Sequence, residues 1–300
     1  MQSQWNRREL FALLGVGALV SACGTGASRS RATQVHDEFA RLEDRYGARI
    51  GVHAVDVGTS AVVAHRPGET FAMCSTFKTY AAARVLQLVD AGEADLNREI
   101  PIVPDDIVVN SPVTSQAVGQ TMSLRDVCAA ALERSDNTAG NLMLRLIGGP
   151  AAVTCFARGI GDDASRLDRW EPELNTAEPM DHRDTTTPRA LGAGYRRLLV
   201  GDVLPPAQRT QLLDWMRANT TSAKRFRAGL PAGWTSADKS GAGDYGSTND
   251  AGLLIGPTGQ RVLAVVLVRS RGDVPDAAPF NEAIAESTRL VLTHLGHRAP

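Results

Sequence analysis

Three short clusters carry residue types suited to nucleophilic catalysis. Ser75-Thr76-Phe77-Lys78 sets a hydroxyl and an amine three residues apart at the start of a helical pattern, so the two share a face and the amine can reach the hydroxyl. A helix N-terminus adds a field that favours developing negative charge. Ser135-Asp136-Asn137 falls between two helical patterns, where a loop can present a hydroxyl and an amide into a cleft. The same residue types also cap helices, so Asp136 or Asn137 can equally start the helix that holds Leu142 and Leu144. Lys239-Ser240-Gly241 lies on a strand pattern and is followed by Ala242-Gly243, which offers a cation beside small residues that let backbone N–H groups approach a ligand. Alone, each cluster has a plain structural explanation, such as a surface lysine one turn after a capping serine.

Their order removes most of that ambiguity. S-x-x-K, then S-D-N, then K-[ST]-G is the set shared by class A β-lactamases and penicillin-binding proteins. A fourth segment, Arg169-Trp170-Glu171-Pro172-Glu173-Leu174-Asn175, resembles the omega loop of class A β-lactamases, which holds a deacylating glutamate and a water-positioning asparagine. The resemblance runs from about Val35 to Leu295. The D-alanyl-D-alanine peptidases among the penicillin-binding proteins share Ser75, Lys78, Ser135 and Lys239 but lack that glutamate.

The resemblance implies a role for each match. Ser75 would attack a β-lactam carbonyl, and Lys78, or Glu171 acting through water, would take its proton, a choice in dispute for the family. Ser135 would relay a proton to the leaving lactam nitrogen. The backbone N–H groups of Ser75 and Ala242 would form the oxyanion hole, with Gly241 beside them in the substrate site. Lys239, Ser240 and Arg225 would hold the substrate carboxylate, and Asn137 would touch the side-chain amide. Glu171 and Asn175 would activate the hydrolytic water, in a loop closed by an Arg169–Asp184 ion pair. Many relatives carry the carboxylate-binding arginine on the strand after K-[ST]-G, where this chain has Gly246-Ser247-Thr248-Asn249; a subgroup carries it in a context like Lys224-Arg225-Phe226-Arg227. Arg227 reads as a structural partner to an acid such as Asp238. Asn110 stands where many relatives place an aromatic at the cleft mouth. A cysteine at Cys74 is bonded in carbapenem-hydrolysing relatives to a position that is Gly243 here, and the family partner position of Cys128 is Ala82. A Cys128–Cys155 bond stays open.

The surrounding elements must hold these groups together. Val35, Phe39, Leu42 and Tyr46 share one helix face, and Ile50–Val57 and Ala61–His65 read as a hairpin across Gly58-Thr59-Ser60. Helical patterns follow at Ser75–Val89, Ser123–Leu132, Thr138–Ile147, Ala151–Ile160, Thr187–Leu199 and Pro206–Asn219. Strand patterns resume at Thr235–Lys239, Gly252–Ile255 and Val262–Arg269, and Phe280, Ile284, Ser287, Val291 and Leu295 mark a last helix. The fold class expected is α+β: a mostly antiparallel five-stranded sheet with terminal helices packed on it, plus an inserted all-helical lobe. The sheet lobe is expected at about 34–68 and 220–300 and the helical lobe at about 69–219, with the active site in the cleft between them.

The sequence has 300 residues, 43% hydrophobic and 22% charged, with 32 Lys+Arg against 33 Asp+Glu. That composition suits a globular domain and offers no electrostatic footprint for nucleic acid. The expected partner is a small molecule, the chain reads as a monomer, and no cofactor is called for. Its histidines and cysteines show no metal-ligand spacing. Arg7-Arg8 before the apolar run Phe11–Val20 reads as an export signal over 1–23 and resembles a twin-arginine leader. Val20-Ser21-Ala22-Cys23 resembles a lipoprotein cleavage box with Cys23 as the acylated residue, although Val20 and Ala22 also suit ordinary signal peptidase. Residues 24–33 read as a flexible tether. The expected location is outside the cytoplasm, as a cell-envelope lipoprotein or a periplasmic or secreted protein, and three unpaired cysteines would suit a chain folded before export.

Overall fold

In the computed structural model the described residues are 31–297; the segment 1–23 read as an export signal, Cys23 and most of the segment read as a tether lie outside them. Helix α1 (Arg31–Tyr46) begins inside the segment read as tether, which is therefore three residues too long. Arg31, Ala32 and Thr33 contain no glycine or proline and extend the frame that buries Val35, Phe39 and Leu42. Strands β1 (Ala48–Asp56) and β2 (Val62–His65) form the expected antiparallel hairpin. Strand β3 (Phe71–Ala72) leads through a 3-10 turn, Cys74–Thr76, into α2 (Phe77–Asp90).

The chain then builds β4 (Glu99–Pro101), β5 (Thr121–Ser123), α3 (Leu124–Glu133), α4 (Asn137–Ile147) and α5 (Pro150–Gly159). After β6 (Thr185–Thr186) come α6 (Pro188–Leu199), α7 (Pro206–Arg217) and the short α8 (Phe226–Gly229). The last elements are β7 (Thr235–Ala242), β8 (Thr248–Ile255), β9 (Arg261–Ser270) and α9 (Asn281–His294).

The large sheet has the order β2-β1-β9-β8-β7, and every neighbouring pair is antiparallel. Alternation along β9 explains how it is covered. Val262, Ala264, Val266 and Val268 join Phe39, Ile50, Ile284 and Val291 in one core under α1 and α9. Leu263, Val265 and Leu267 point into the other core, with Leu191 and Tyr195 of α6 and the helical lobe. The sheet is thus buried on both faces, and α6 joins the two layers.

The segment expected to be all-helical is not wholly so. It contains two ribbons, β3 paired with β6 and β4 paired with β5. Strands of two or three residues have no room to show a period, so pattern reading passes over them. Inside the lobe α2 is buried nearly all round, from Phe77 to Ala83, by α3, α4, α5 and α7. A helix so enclosed can hold a polar side chain only if that side chain finds partners, and Lys78 is such a residue.

Candidate active site

Ser75 sits in a backbone turn held from both layers. Met73 N–H donates to the carbonyl of Asp184 (2.8 Å), and Asn249 Nδ2 of β8 donates to the carbonyls of Ala72 (2.8 Å) and Met73 (3.0 Å). Between these clamps Cys74 adopts φ +45°, a conformation that a non-glycine residue keeps only when its surroundings enforce it. The strain aims Ser75 at the cleft just before α2 begins.

Lys78 lies one turn further on, with its side chain wholly buried. Its Nζ donates to Ser75 Oγ (3.0 Å), Ser135 O (2.8 Å) and Asn137 Oδ1 (2.8 Å), and with Glu171 beside it the amine has one more acceptor in reach than its three ammonium protons can serve at once. Glu171 Oε1 is 3.0 Å from Lys78 Nζ and accepts from Ser75 Oγ at 3.3 Å. Burial pushes the Lys78 amine below its ordinary value, and the Glu171 charge beside it pulls the other way. Asn175 Nδ2 donates to Glu171 Oε2 and to Pro172 O, while its own Oδ1 is buried without a protein partner. A carboxylate and an orphaned amide oxygen side by side form a set of acceptors for one water.

Ser135 also has positive φ (+57°), and its Oγ accepts from Lys239 Nζ at 2.9 Å. Asp136 fixes that loop: its carboxylate accepts from the backbone N–H groups of Val113, Thr114 and Ala139 and from Thr114 Oγ1. Both expectations for this triplet therefore hold, since Asp136 caps α4 while Ser135 and Asn137 face the cleft. Asn137 donates its Nδ2 to Val109 O (3.0 Å). Lys239 is buried; burial first, and then the Lys78 charge, push its amine well below the ordinary lysine value.

The cleft is about 670 Å³ and is lined by Ser75, Ser135, Asn137, Asn175, Arg225, Ser240, Gly241 and Ala242 among others. Ser240 Oγ is hydrogen-bonded to Thr221 Oγ1. Arg225 lies beneath the Lys-Ser-Gly strand: its Nη1 donates to the carbonyls of Gly241 (2.7 Å) and Asn249 (2.9 Å), and its Nε to Asn281 Oδ1 (2.8 Å). Arg227 takes the structural place expected of it, 3.8 Å from Asp238.

The loop bearing Glu171 is closed as expected. Arg169 Nε meets Asp184 Oδ2 at 2.5 Å, and Asp184 Oδ1 accepts from the backbone of Asp168 and Arg169. Two residues outside the sequence expectations also matter. Asn141 brackets Glu171, donating to its carbonyl and accepting from its N–H, both at 2.9 Å. Asn249 holds the turn before Ser75. Asn141 lies four residues after Asn137, on the same helix face, and that spacing was the available signal. Asn249 sits in a polar stretch that gave none. Cys74, Cys128 and Cys155 are all free, so the open Cys128–Cys155 pairing does not form; Cys128 is buried in α3 and Cys155 exposed on α5.

The arrangement joins a hydroxyl, a buried amine–carboxylate pair, a second hydroxyl and a cationic strand, the parts needed for acyl transfer through a covalent intermediate. Comparison with known proteins points the same way. The family model described as the β-lactamase enzyme family matches residues 34–295. The chain is 44% identical to β-lactamase FAR-1 of Nocardia farcinica, with 96% of each chain covered. It is 46% identical to β-lactamase AST-1 of Nocardia asteroides, over 97% of this chain and 96% of that one. Among solved structures, the β-lactamase of Desulfarculus baarsii is similar with a TM-score of 0.85 and 42% identity, covering 88% of this chain and 98% of that one. The reconstructed class A β-lactamase of the last common ancestor of Gram-negative bacteria gives 0.83 and 47%, over 87% and 99%.

Proposed function

The chain belongs to the β-lactamase enzyme family, and from that membership we propose how its cleft opens the β-lactam ring. The protein is a class A serine β-lactamase: it hydrolyses the β-lactam amide bond and so confers resistance to these antibiotics. The reading of its site rests on one observation, that Ser75 Oγ lies 3.0 Å from Lys78 Nζ and 3.3 Å from Glu171 Oε1, with these two groups 3.0 Å apart.

In acylation the Lys78 ammonium gives a proton to Glu171, and the neutral amine then accepts the Ser75 proton as Oγ bonds to the lactam carbonyl carbon. The carbonyl oxygen takes up charge against the N–H groups of Ser75 and Ala242. When the ring C–N bond breaks, the nitrogen takes its proton from Ser135, which recovers one through its neighbours Lys78 and Lys239. Lys239, Ser240 and Arg225 hold the ring carboxylate, and Asn137 holds the amide of the acyl side chain. Arg225 acts as a fixed charge, since much of its guanidinium is committed to internal carbonyls.

In deacylation Glu171 and Asn175 hold a water. Glu171 first returns to Lys78, 3.0 Å away, the proton it accepted in acylation; as a carboxylate it then takes the water's proton as the oxygen attacks the ester carbon, and the Ser75–carbon bond breaks with that proton passed to Oγ. The enzyme acts as a monomer outside the cytoplasm, exported by the segment 1–23 and tethered by acylation of Cys23. The first experiment mixes purified protein with benzylpenicillin and a chromogenic cephalosporin and follows turnover and intact mass together. Many turnovers without a lasting adduct support this reading. One stable stoichiometric adduct would mean that Glu171 does not deacylate and that the site behaves like that of a peptidase.

A further inference from the structure

The rim of the cleft carries a cation for which the mechanism has no task. Arg134 closes α3 immediately before Ser135, is exposed, and lines the cleft with Thr221 and Arg225. Among the described residues the exposed wall of the cleft carries no acidic side chain, the Glu171 carboxylate being buried behind Ser75. Among the described residues Arg134 has no ion-pair partner within salt-bridge distance; away from the cleft it borders a shallow pocket that also holds Glu99, Asp126 and Glu133, and the Glu133 carboxyl feels its charge.

The backbone fixes which end of the cleft it occupies. Thr220 donates to the Glu133 carbonyl through its N–H (2.8 Å) and its Oγ1 (3.0 Å), so the segment running on to Arg225 starts against the end of α3. That segment supplies Thr221 to Ser240 and Arg225 to Gly241. This is the end assigned above to the ring carboxylate, whereas Asn137, assigned to the acyl side chain, is bound to Lys78 and Val109. Arg225 is 8% exposed and held by internal acceptors, so it is a buried charge, while Arg134 stands in solvent at the mouth.

We propose that Arg134 is a specificity-determining residue that favours β-lactams bearing a second negative charge on the ring substituent next to the carboxylate, such as a cephalosporin with an anionic group on its position-3 side chain. The inference rests on the β-lactamase reading. A charge at a cleft rim raises the local concentration and association rate of an oppositely charged partner, and salt screens the effect. Arg134 touches no reacting atom, so its influence belongs in KM and not in kcat.

The test compares two cephalosporins that differ only in whether the position-3 side chain is anionic or neutral, on the wild-type protein and on R134Q and R134K. For R134Q we expect kcat/KM to fall about 5- to 10-fold for the anionic substrate and less than about twofold for the neutral one, with kcat nearly unchanged. R134K should recover most of the loss, because the charge is kept. The wild-type preference should shrink as ionic strength rises from about 0.05 to about 0.5 M. An equal change for both substrates in R134Q, or a preference indifferent to salt, would overturn the role of Arg134 while leaving the β-lactamase reading intact. Failure of the wild-type protein to hydrolyse either cephalosporin would overturn the reading beneath it.

Discussion

At the scale of single residues, the site turns on a buried amine and a buried carboxylate sharing one serine. Removing the carboxylate separates the two half-reactions. Glu171→Gln should still acylate, since Lys78 keeps its 3.0 Å contact with Ser75, but deacylation should slow by about 10²- to 10⁴-fold. Intact mass would then show a lasting adduct on Ser75; unimpaired turnover would exclude Glu171 as the deacylating base. The same variant tests the acylation base by pH. Burial lowers the Lys78 value and the Glu171 charge opposes that, so Glu171→Gln leaves burial unopposed and the amine loses its proton at a lower pH than in the wild type. If the neutral amine accepts the Ser75 proton, the acylation rate of the variant should rise with pH earlier than that of the wild type, as rapid-mixing measurements would show. A uniform loss of acylation across pH would instead assign that proton to water held by Glu171.

At the scale of elements, precision comes from close approach. A Cβ on Gly140 of α4 would lie 2.8 Å from Lys78 Cε. A free lysine would swing aside, but this one is held by three acceptors. Gly140→Ala should therefore cost about 1–3 kcal/mol of stability and slow acylation more than substrate binding, measured as a fall in Tm together with a fall in kcat at similar KM. A Cβ on Gly243 would meet the Asn175 carbonyl at 2.5 Å, so Gly243→Ala should push on the Glu171 loop and slow deacylation, with an adduct accumulating at steady state. Elements of this kind were only partly legible in the sequence. The helices and the hydrophobic strands β1, β2 and β9 showed their periods because burial set those residues. Strand β8 was read only from Gly252, because Thr248, Asn249 and Asp250 are polar for other reasons: Asn249 clamps the turn before Ser75, and Asp250 accepts from Ser222 and Phe226. Polar residues spent on the site hide the strand that carries them. Likewise the motif residues announced themselves by order, whereas Asn141 and Asn249, which position them through a pair of amide hydrogen bonds each, belong to no motif: Asn141 shows only its helical spacing from Asn137, and Asn249 shows nothing that composition or periodicity can expose.

At the scale of the whole molecule, two sets of carboxylates should shape stability against pH in opposite directions. The first set ties the terminal helices to each other and the chain just past α9 to the sheet. Glu38 of α1 pairs with His294 of α9 at 2.9 Å, and Asp56 at the end of β1 pairs with His297 at 2.6 Å and accepts from the N–H groups of Gly58 and Thr59. Burial tends to raise both carboxyl groups, but for Glu38 the bonds from Gln34 and His294 outweigh it, and for Asp56 those from Thr59, His297 and Gly58 do, so both end below their ordinary values. A carboxyl whose folded value is depressed adds stability that is complete above the ordinary carboxylate range and is lost as pH falls through the depressed value. The protein should therefore lose stability in acid, and Asp56→Asn should lose less of it between about pH 5 and 2 than the wild type. The second set lies behind the Lys-Ser-Gly strand, where burial and then the Asp238 charge raise Asp250 well above the ordinary value. Its sign is reversed: the folded protein holds that proton longer than the unfolded chain, so stability declines as pH rises from the ordinary carboxylate range to the raised value. Asp250→Asn removes this titration while keeping an oxygen for Ser222 and the Phe226 N–H. Denaturant midpoints measured from pH 4 to 9 should be flatter in the variant, and its stability at neutral pH should match or exceed that of the wild type. A wild-type profile that is already flat over this range would show that Asp250 is ionised throughout, with Arg225 supplying enough countercharge to hold it so.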